Sequence, residues 1–152
     1  MPVTYRKLNL DELKMFHQEF AEYLAVNGID ADFWEKIKKE DTEKTNKILD
    51  EFSNVIFNSI LLKMEYVQFV TQGSAKYFYY GKEKAVLIGL EGKEIDFRDR
   101  KSILEGASNG IKYFKTEKKY TKNREVELFE MLRNGCEPFD GKLFKDLIKT
   151  FF

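Results

Sequence analysis

The chain has 152 residues, and its 26 Lys and Arg side chains balance 26 Asp and Glu side chains, so the formal net charge is zero. Hydrophobic residues make up 43% and aromatic residues 15% of the sequence, which excludes an intrinsically disordered chain. Nine Gly and two Pro exclude a collagen-like or low-complexity protein, and a single Cys excludes an internal disulfide. The sequence therefore predicts one globular domain over residues 1–152, large enough to bury a core without covalent cross-links.

The predicted location is the cytoplasm. Residues 1–7 contain no apolar run of the kind found in a signal peptide. The most apolar window, residues 52–70, is interrupted by Lys63 and Glu65, whose charges would cost several kcal/mol inside a bilayer. A lone Cys fits a reducing compartment, so we expect a cytoplasmic protein with no membrane contact.

The N-terminal part of the sequence predicts three helices. Asn9 is followed three residues later by Glu12, the spacing of a capping box, and apolar residues then recur at helical spacing until Gly28. Asp30 is the predicted cap of a second helix. A third, longer helix is expected to run from the break near Asp41 to about residue 64.

A change of period predicts strands in the middle of the sequence. Aromatic and β-branched residues fill residues 66–71, 75–80 and 84–90, and the short Gly-containing loops between them are typical of antiparallel hairpins. Residues 94–97 alternate between polar and apolar side chains, which predicts a fourth strand. Residues 111–121 are compatible either with a strand that has a basic face or with an irregular arm.

The remaining segments predict short helices. Residues 102–107 fit one helical turn, and residues 108–110 fit a reverse turn. Asn123 is the predicted cap of a helix that stops at Asn134-Gly135, and Asp140 is the predicted cap of the last helix. Together these elements predict an α+β fold: N-terminal helices, a small antiparallel meander of three to five strands, and C-terminal helices.

The neutral net charge hides a gradient along the chain. Residues 1–64 carry 9 basic and 12 acidic side chains, residues 65–110 carry 7 of each, and residues 111–152 carry 10 basic and 7 acidic ones. The steepest basic excess lies in residues 111–124, where aromatic residues alternate with cations. The candidate binding residues there are Lys112, Tyr113, Lys115, Lys118, Lys119, Tyr120, Lys122 and Arg124.

Three interpretations of this basic segment stay open. It fits a solvated surface strand, because Lys is a common surface residue. It also fits a site that contacts an acidic protein surface, or one that binds the phosphates and stacks the bases of RNA or DNA. A basic patch marks an electrostatic footprint without naming the partner.

Signals for catalysis are weak. His17 is the only histidine and Cys136 the only cysteine, and neither lies in a catalytic or metal-binding motif. The charged cluster at residues 94–101 is interpreted as a self-neutralising loop, because general-acid chemistry needs a buried, perturbed carboxyl. No phosphate-binding loop is present, and residues 77–80 are predicted to pack across strands, against Val86 and Ile88, rather than to stack on bases.

Three parts of the sequence resemble a known family. They are residues 10–13 through 27–38, residues 87–90 followed by 95–97, and residues 122–129 through 140–144. With these segments the chain resembles a family of short uncharacterised proteins from Bacteroidetes-type bacteria that is classed as a domain of unknown function. The resemblance implies a bacterial, cytoplasmic, single-domain protein and assigns no site residues.

The leading functional prediction is a small non-enzymatic protein that binds another protein or a second copy of itself. Its basis is the absence of catalytic motifs and the polarised charge, together with large apolar residues near both ends that are candidates for a contact surface: Phe33, Trp34, Phe151 and Phe152. The alternative is RNA or DNA binding through residues 111–124. An enzyme of unknown class is the third hypothesis, and no metal or cofactor is expected.

Overall fold

The computed structural model describes residues 5–93, 95–105 and 110–152, and it confirms the α+β fold. The helices are α1 (Leu10–Met15), α2 (His17–Val26), α3 (Ala31–Glu40), α4 (Thr42–Lys63), α5 (Arg100–Glu105), α6 (Arg124–Arg133) and α7 (Lys142–Phe151). The strands are β1 (Tyr66–Thr71), β2 (Ser74–Tyr80), β3 (Lys84–Glu91), β4 (Lys112–Lys119) and β5 (Glu137–Pro138). The chain divides into an N-terminal unit that ends at Ile60 and a C-terminal unit, Leu61–Phe152.

The first helix of the N-terminal unit begins as the sequence predicts. The Asn9 side chain accepts a hydrogen bond from the backbone N–H of Glu12 at 2.9 Å, and the Glu12 carboxylate accepts one from the backbone N–H of Asn9 at 3.0 Å. The single helix expected up to Gly28 is instead two helices, because the backbone leaves helical geometry at Phe16. This break lets Phe16 pack against a core cluster formed by Leu8, Phe52 and Ile56.

A buried serine joins the segment before α1 to α4. The Leu8 backbone N–H donates to Ser53 Oγ at 2.9 Å, and Ser53 Oγ donates in turn to the Leu49 carbonyl at 2.7 Å. Ser53 is fully buried, so this chain of hydrogen bonds satisfies a polar group that water cannot reach. A second cluster in the same unit contains Leu24, Ile29, Ile37 and Ile48.

The C-terminal unit is built on an antiparallel sheet with the strand order β4-β3-β2-β1-β5. The loop between β1 and β2 has two residues, and Gly73 adopts a φ of 82°, which a hairpin this tight favours. Tyr77 pairs with Ile88 and Tyr79 with Val86, so the predicted cross-strand packing of the aromatic run is confirmed. Tyr77 has no exposed surface.

One face of the sheet forms the main core of this unit. Phe144 and Leu147 of α7 pack there against Tyr77 and Ile88, together with Ile103 of α5. Successive strand residues point to opposite faces of the sheet, so neighbouring aromatic residues of β2 lie alternately on the core face and on the other face. Among the described residues, no helix is both long and apolar enough to cross a membrane.

Two predictions for loops near the sheet are wrong. Residues 95–97 lie outside any strand, although the sequence alternates, while Glu94 lies outside the described residues. The Asp96 carboxylate accepts a hydrogen bond from the Arg98 backbone N–H at 3.0 Å, a local bond that competes with strand pairing. The sequence predicts no strand between the helix stop at Asn134-Gly135 and the last helix, but Glu137 and Pro138 pair with β1 as a short edge strand.

The predicted ends of α6 and α7 agree with the structure to within one residue. Asn123 caps α6, and Gly135 follows the helix with a φ of 104°. The Asp140 side chain accepts a hydrogen bond from the Lys142 N–H at 2.9 Å, while Gly141 occupies the cap position. Of the two predicted segments at residues 102–110, α5 covers the first part, and residues 106–109 lie outside the described residues.

Candidate functional site

The basic segment is a regular strand at the edge of the sheet. β4 pairs with β3 along its whole length, from Lys112 opposite Glu91 to Lys119 opposite Lys84. All eight of its residues are exposed. In the part of the chain that the structure describes, no strand pairs with the other side of β4, which we call the β4 edge. Residues 112–119 therefore form a strand and not an irregular arm.

Two aromatic side chains of β4 stay half exposed on opposite faces of the sheet. The Tyr113 ring lies 4.5 Å from the Phe151 ring and 5.5 Å from the Phe152 ring, and 47% of Tyr113 is exposed. The Phe114 ring lies directly over Gly89, where an added Cβ would approach its ring carbons to 2.2 Å. Phe114 is 45% exposed, so each face of the edge strand presents part of an aromatic ring.

The lysines of β4 are divided between the two faces. Lys112 and Lys118 share the face of Phe114, whereas Lys115 and Lys119 share the face of Tyr113. The strand also contains Glu117, which is bound to Lys84 of β3 at 2.9 Å. The strand therefore carries four lysines and one carboxylate, with two of the lysines on each face.

Lys118 and Lys122 are already ion-paired within the protein. Lys118 Nζ lies 3.2 Å from the carboxylate of Glu127, a residue that is only 6% exposed. Lys122 Nζ lies 2.7 Å from the Glu130 carboxylate. Lys115 stands with its ammonium group 5.5 Å above the centre of the Phe152 ring. Neither Lys112, Lys115 nor Lys119 forms an ion pair with a described residue.

Arg124 is part of the interior rather than of the edge. Its guanidinium group donates hydrogen bonds to the carbonyl oxygens of Leu61 and Tyr80 at 2.9 Å each, and also to that of Met64. Leu61 lies in the last turn of α4, where carbonyl oxygens have no partner inside the helix. The positive charge also suits the negative end of the helix dipole. We call this arrangement the Arg124 carbonyl cluster.

Tyr120 is also held by the fold. Its ring stacks on Tyr80 at a centroid distance of 5.8 Å, and its hydroxyl group donates to the Gly81 carbonyl at 2.6 Å. Of the eight candidate residues, the structure brings five together on β4 and places Tyr120, Lys122 and Arg124 beyond its end. That any of them binds a partner stays a prediction.

The other sequence candidates have ordinary local roles. His17 is exposed at the start of α2, and its Nδ1 lies 3.0 Å from the Lys14 carbonyl oxygen. Cys136 is buried, and burial raises the pKa of its thiol, which disfavours the reactive thiolate. The hydrogen bond from the Arg98 backbone lowers the pKa of Asp96, the opposite of what a general acid needs.

Within residues 5–93, 95–105 and 110–152, no three His, Cys, Asp or Glu side chains come together in a group that would hold a metal ion.

Comparison with protein families adds one finding. A family model matches residues 1–151. The chain belongs to DUF6495, a family of unknown function. No curated protein and no solved structure gives a significant match. Membership in DUF6495 covers nearly the whole chain, and it assigns neither an activity nor site residues.

Sequence reasoning missed two residues that shape the β4 edge in this DUF6495 protein. Gly89 holds Phe114 against the sheet, and Glu127 binds Lys118 from a position beyond the end of the strand. Both effects depend on which residues face each other across strands and helices. Phe151 and Phe152 did stand out in the sequence as large apolar residues near the C-terminus, but their position beside Tyr113 follows only from the packing of α7.

Proposed function

We propose that the protein is a non-enzymatic binding protein that accepts an extended, acidic segment of a partner protein along the β4 edge. The observation that carries the proposal is an eight-residue edge strand, exposed along its whole length, whose outer side is not covered by any described strand. We expect the binding to take place in the cytoplasm of a bacterium, as the sequence and the family resemblance predict.

The chemistry of the edge supports an added strand. An edge strand presents backbone N–H and C=O groups that a peptide can pair with, and this pairing supplies affinity. Tyr113 and Phe114 offer a partly exposed ring on each face, where alternate side chains of an added strand would pack. Four lysines against Glu117 give β4 a formal charge of +3, which favours an acidic partner.

The same charges disfavour a second copy of this chain as the partner. In a symmetric antiparallel pair of β4 strands, Lys112 of one copy would lie opposite Lys119 of the other at both ends. Like charges that face each other across strands are destabilising. Lysines on an edge strand are a common device against self-pairing, so these residues support a partner of opposite charge.

Nucleic-acid binding is the second candidate. The half-exposed rings of Tyr113 and Phe114 support it, together with neighbouring lysines that form no ion pair with a described residue, because single-stranded nucleic acids bind to stacking aromatic residues and cations. We rank it lower because the lysines are divided between two faces, and because Lys122 and Arg124 are engaged within the protein.

The test is a binding titration with a peptide of about ten alternating Glu and Val residues, the length of a long strand. The decisive variant replaces Lys112, Lys115 and Lys119 by Glu, since these lysines form no ion pair with a described residue that the substitution would break. We expect this variant to bind the peptide roughly tenfold or more weakly. Hydrogen exchange should show that the peptide protects backbone amides of β4.

Two controls make the outcome decisive. A variant with Lys14, Lys36 and Lys39 replaced by Glu has the same net charge and alters exposed residues of the N-terminal unit, so it should bind normally. A peptide of the same sequence with alternate backbone nitrogens methylated should lose binding, because it cannot pair. Equal binding of the methylated peptide would contradict strand addition, and tighter binding of oligouridine than of the peptide would favour nucleic acid instead.

A further inference from the structure

The charged residues of β4 differ in what they can still offer to an added strand. Lys118 is bound by the Glu127 carboxylate at 3.2 Å. Glu117, which lies between two lysines of its own face, is bound by Lys84 at 2.9 Å. A partner side chain opposite either residue would compete with an ion pair that already exists, so a charge there adds little affinity. These two positions therefore select weakly for the residues of a partner.

Two lysines of β4 have no acidic residue directly opposite them on β3. Lys119 lies opposite Lys84, a like charge, and Lys115 lies opposite the buried Ile88. Lys112, in contrast, lies opposite a glutamate of β3. Lys115 and Lys119 are four residues apart, so their side chains share one face of the sheet. Two acidic residues of an added strand, also four positions apart, would lie opposite both of them.

The two aromatic residues that precede Lys115 provide an apolar position on each face. The Tyr113 ring packs 4.5 Å from the Phe151 ring, and the Phe152 ring lies 5.5 Å from the Tyr113 ring. The Lys115 ammonium group stands 5.5 Å from the centre of the same Phe152 ring. Phe114 points to the other face, and it is half exposed as Tyr113 is. An apolar side chain opposite either ring would remove exposed aromatic surface from water.

The direction of an added strand is indicated by the rest of the sheet. Every strand pair that the structure describes is antiparallel. Antiparallel pairing is also slightly more stable per residue than parallel pairing. An antiparallel strand reaches Lys119 first and Lys112 last. Its residue opposite Lys119 therefore comes four positions before its residue opposite Lys115, and the next two residues lie opposite Phe114 and Tyr113.

We propose that the partner segment runs antiparallel to β4 and contains two acidic residues four positions apart, the second followed directly by two apolar residues. The first acidic residue binds Lys119 and the second binds Lys115. The apolar residues pack on Phe114 and then on Tyr113. This inference rests on the proposed function and specifies the order of residues in the partner, which the charge of the strand alone does not.

The test compares two peptides of equal composition in NMR titrations of the full chain, both with blocked ends. The forward peptide is Glu-Thr-Thr-Thr-Glu-Val-Val-Thr, and the second peptide has the same residues in reversed order. If the reversed peptide places its two acidic residues at Lys119 and Lys115 in an antiparallel pair, its valines lie beyond the end of β4. The forward peptide should therefore bind roughly fivefold or more tightly. A parallel strand would reverse this preference.

Substitutions in both molecules assign the register. Replacing the first Glu of the forward peptide by Gln should weaken binding to the unaltered chain by about two- to fivefold, the effect of one exposed ion pair. The same replacement should have no effect on binding to the Lys119→Gln variant, because the ion pair is already absent. Lys115→Gln is the matched control, since it removes the same charge from the same face and should leave the effect of the first Glu in place. The second Glu should show the opposite dependence.

The outcomes separate this inference from the proposed function. Tighter binding of the reversed peptide, equal binding of the two peptides, or dependence of the first Glu on Lys112 instead of Lys119 would each overturn the inference and leave strand addition in place. If neither of these peptides nor the alternating peptide of Glu and Val causes saturable shifts of the β4 amides, the proposed function fails as well.

Discussion

Arg124 is expected to stabilise the protein far more than a surface cation does. Replacing Arg124 by Met keeps most of the apolar stem and removes the group that donates to the carbonyl oxygens of Leu61, Met64 and Tyr80. A hydrogen bond from a charged donor contributes about 1.5–3 kcal/mol net. The Arg124 side chain is 13% exposed, so water can replace part of what is lost. We therefore expect a loss of about 3 kcal/mol, the value of one to two such bonds.

The assay is urea unfolding followed by circular dichroism, supported by thermal unfolding. A loss of about 3 kcal/mol should lower the midpoint temperature of a chain this long by roughly 6–12 °C. Arg124→Lys should recover only part of the loss, because one ammonium group cannot reproduce the planar fork that reaches several carbonyl oxygens. Lys122→Met is the matched control, since its ion pair with Glu130 is exposed and worth less than about 1 kcal/mol.

The result that would refute this reasoning is simple to recognise. If Arg124→Met and Lys122→Met unfold at the same urea concentration, the carbonyl cluster does not stabilise the end of α4. Equal stability of Arg124→Lys and the unaltered protein would show that charge alone, rather than the geometry of the hydrogen bonds, is responsible.

Three further predictions concern single residues. Ser53→Ala should lower the free energy of unfolding by about 1–2 kcal/mol, because it leaves the buried Leu8 N–H without an acceptor. Urea unfolding measures the loss, with Ser53→Thr as the variant that keeps a hydroxyl group. Equal stability of Ser53→Ala and the unaltered protein would contradict the prediction. The Arg6 guanidinium group lowers the pKa of Glu12 to about 2, so this contribution to stability is complete above about pH 4.5 and is lost as the pH falls toward 2. Glu12→Gln should flatten the dependence of stability on pH in that window, and an unchanged slope would contradict the assignment. Burial raises the pKa of Tyr77 to about 12, so stability should fall as the pH rises from about 10 toward 12, and Tyr77→Phe should reduce that fall in alkaline unfolding experiments.

Local signals explain which elements the sequence predicted well. The capping box at Asn9 and Glu12 uses residues three apart, and the hairpin at Gly73 uses a two-residue loop, so both can be recognised without knowing the rest of the fold. Residues 94–97 show the limit of this reasoning. Their alternating pattern suits a strand, but a local hydrogen bond between Asp96 and the Arg98 backbone forms instead.

The sequence indicated which segment contains the candidate binding residues, but not which of its lysines are ion-paired within the protein. The excess of lysine and aromatic residues in residues 111–124 singled out the segment that became β4 and its flank. Sequence could not separate Lys118, which is bound to Glu127, from Lys112, which has no partner among the described residues. The two lysines are chemically identical, and only the position of α6, which brings Glu127 to Lys118, distinguishes them.

The sequence by itself determined the fold class, several helix caps and hairpin turns, and the charge gradient behind a net charge of zero, since these depend on composition and on residues close together in the chain. The tertiary structure decided that β4 is an edge strand and that Arg124 donates hydrogen bonds to carbonyl oxygens at the end of α4. These outcomes depend on contacts between residues far apart in sequence, where a small difference in packing decides which groups meet and which stay exposed to solvent.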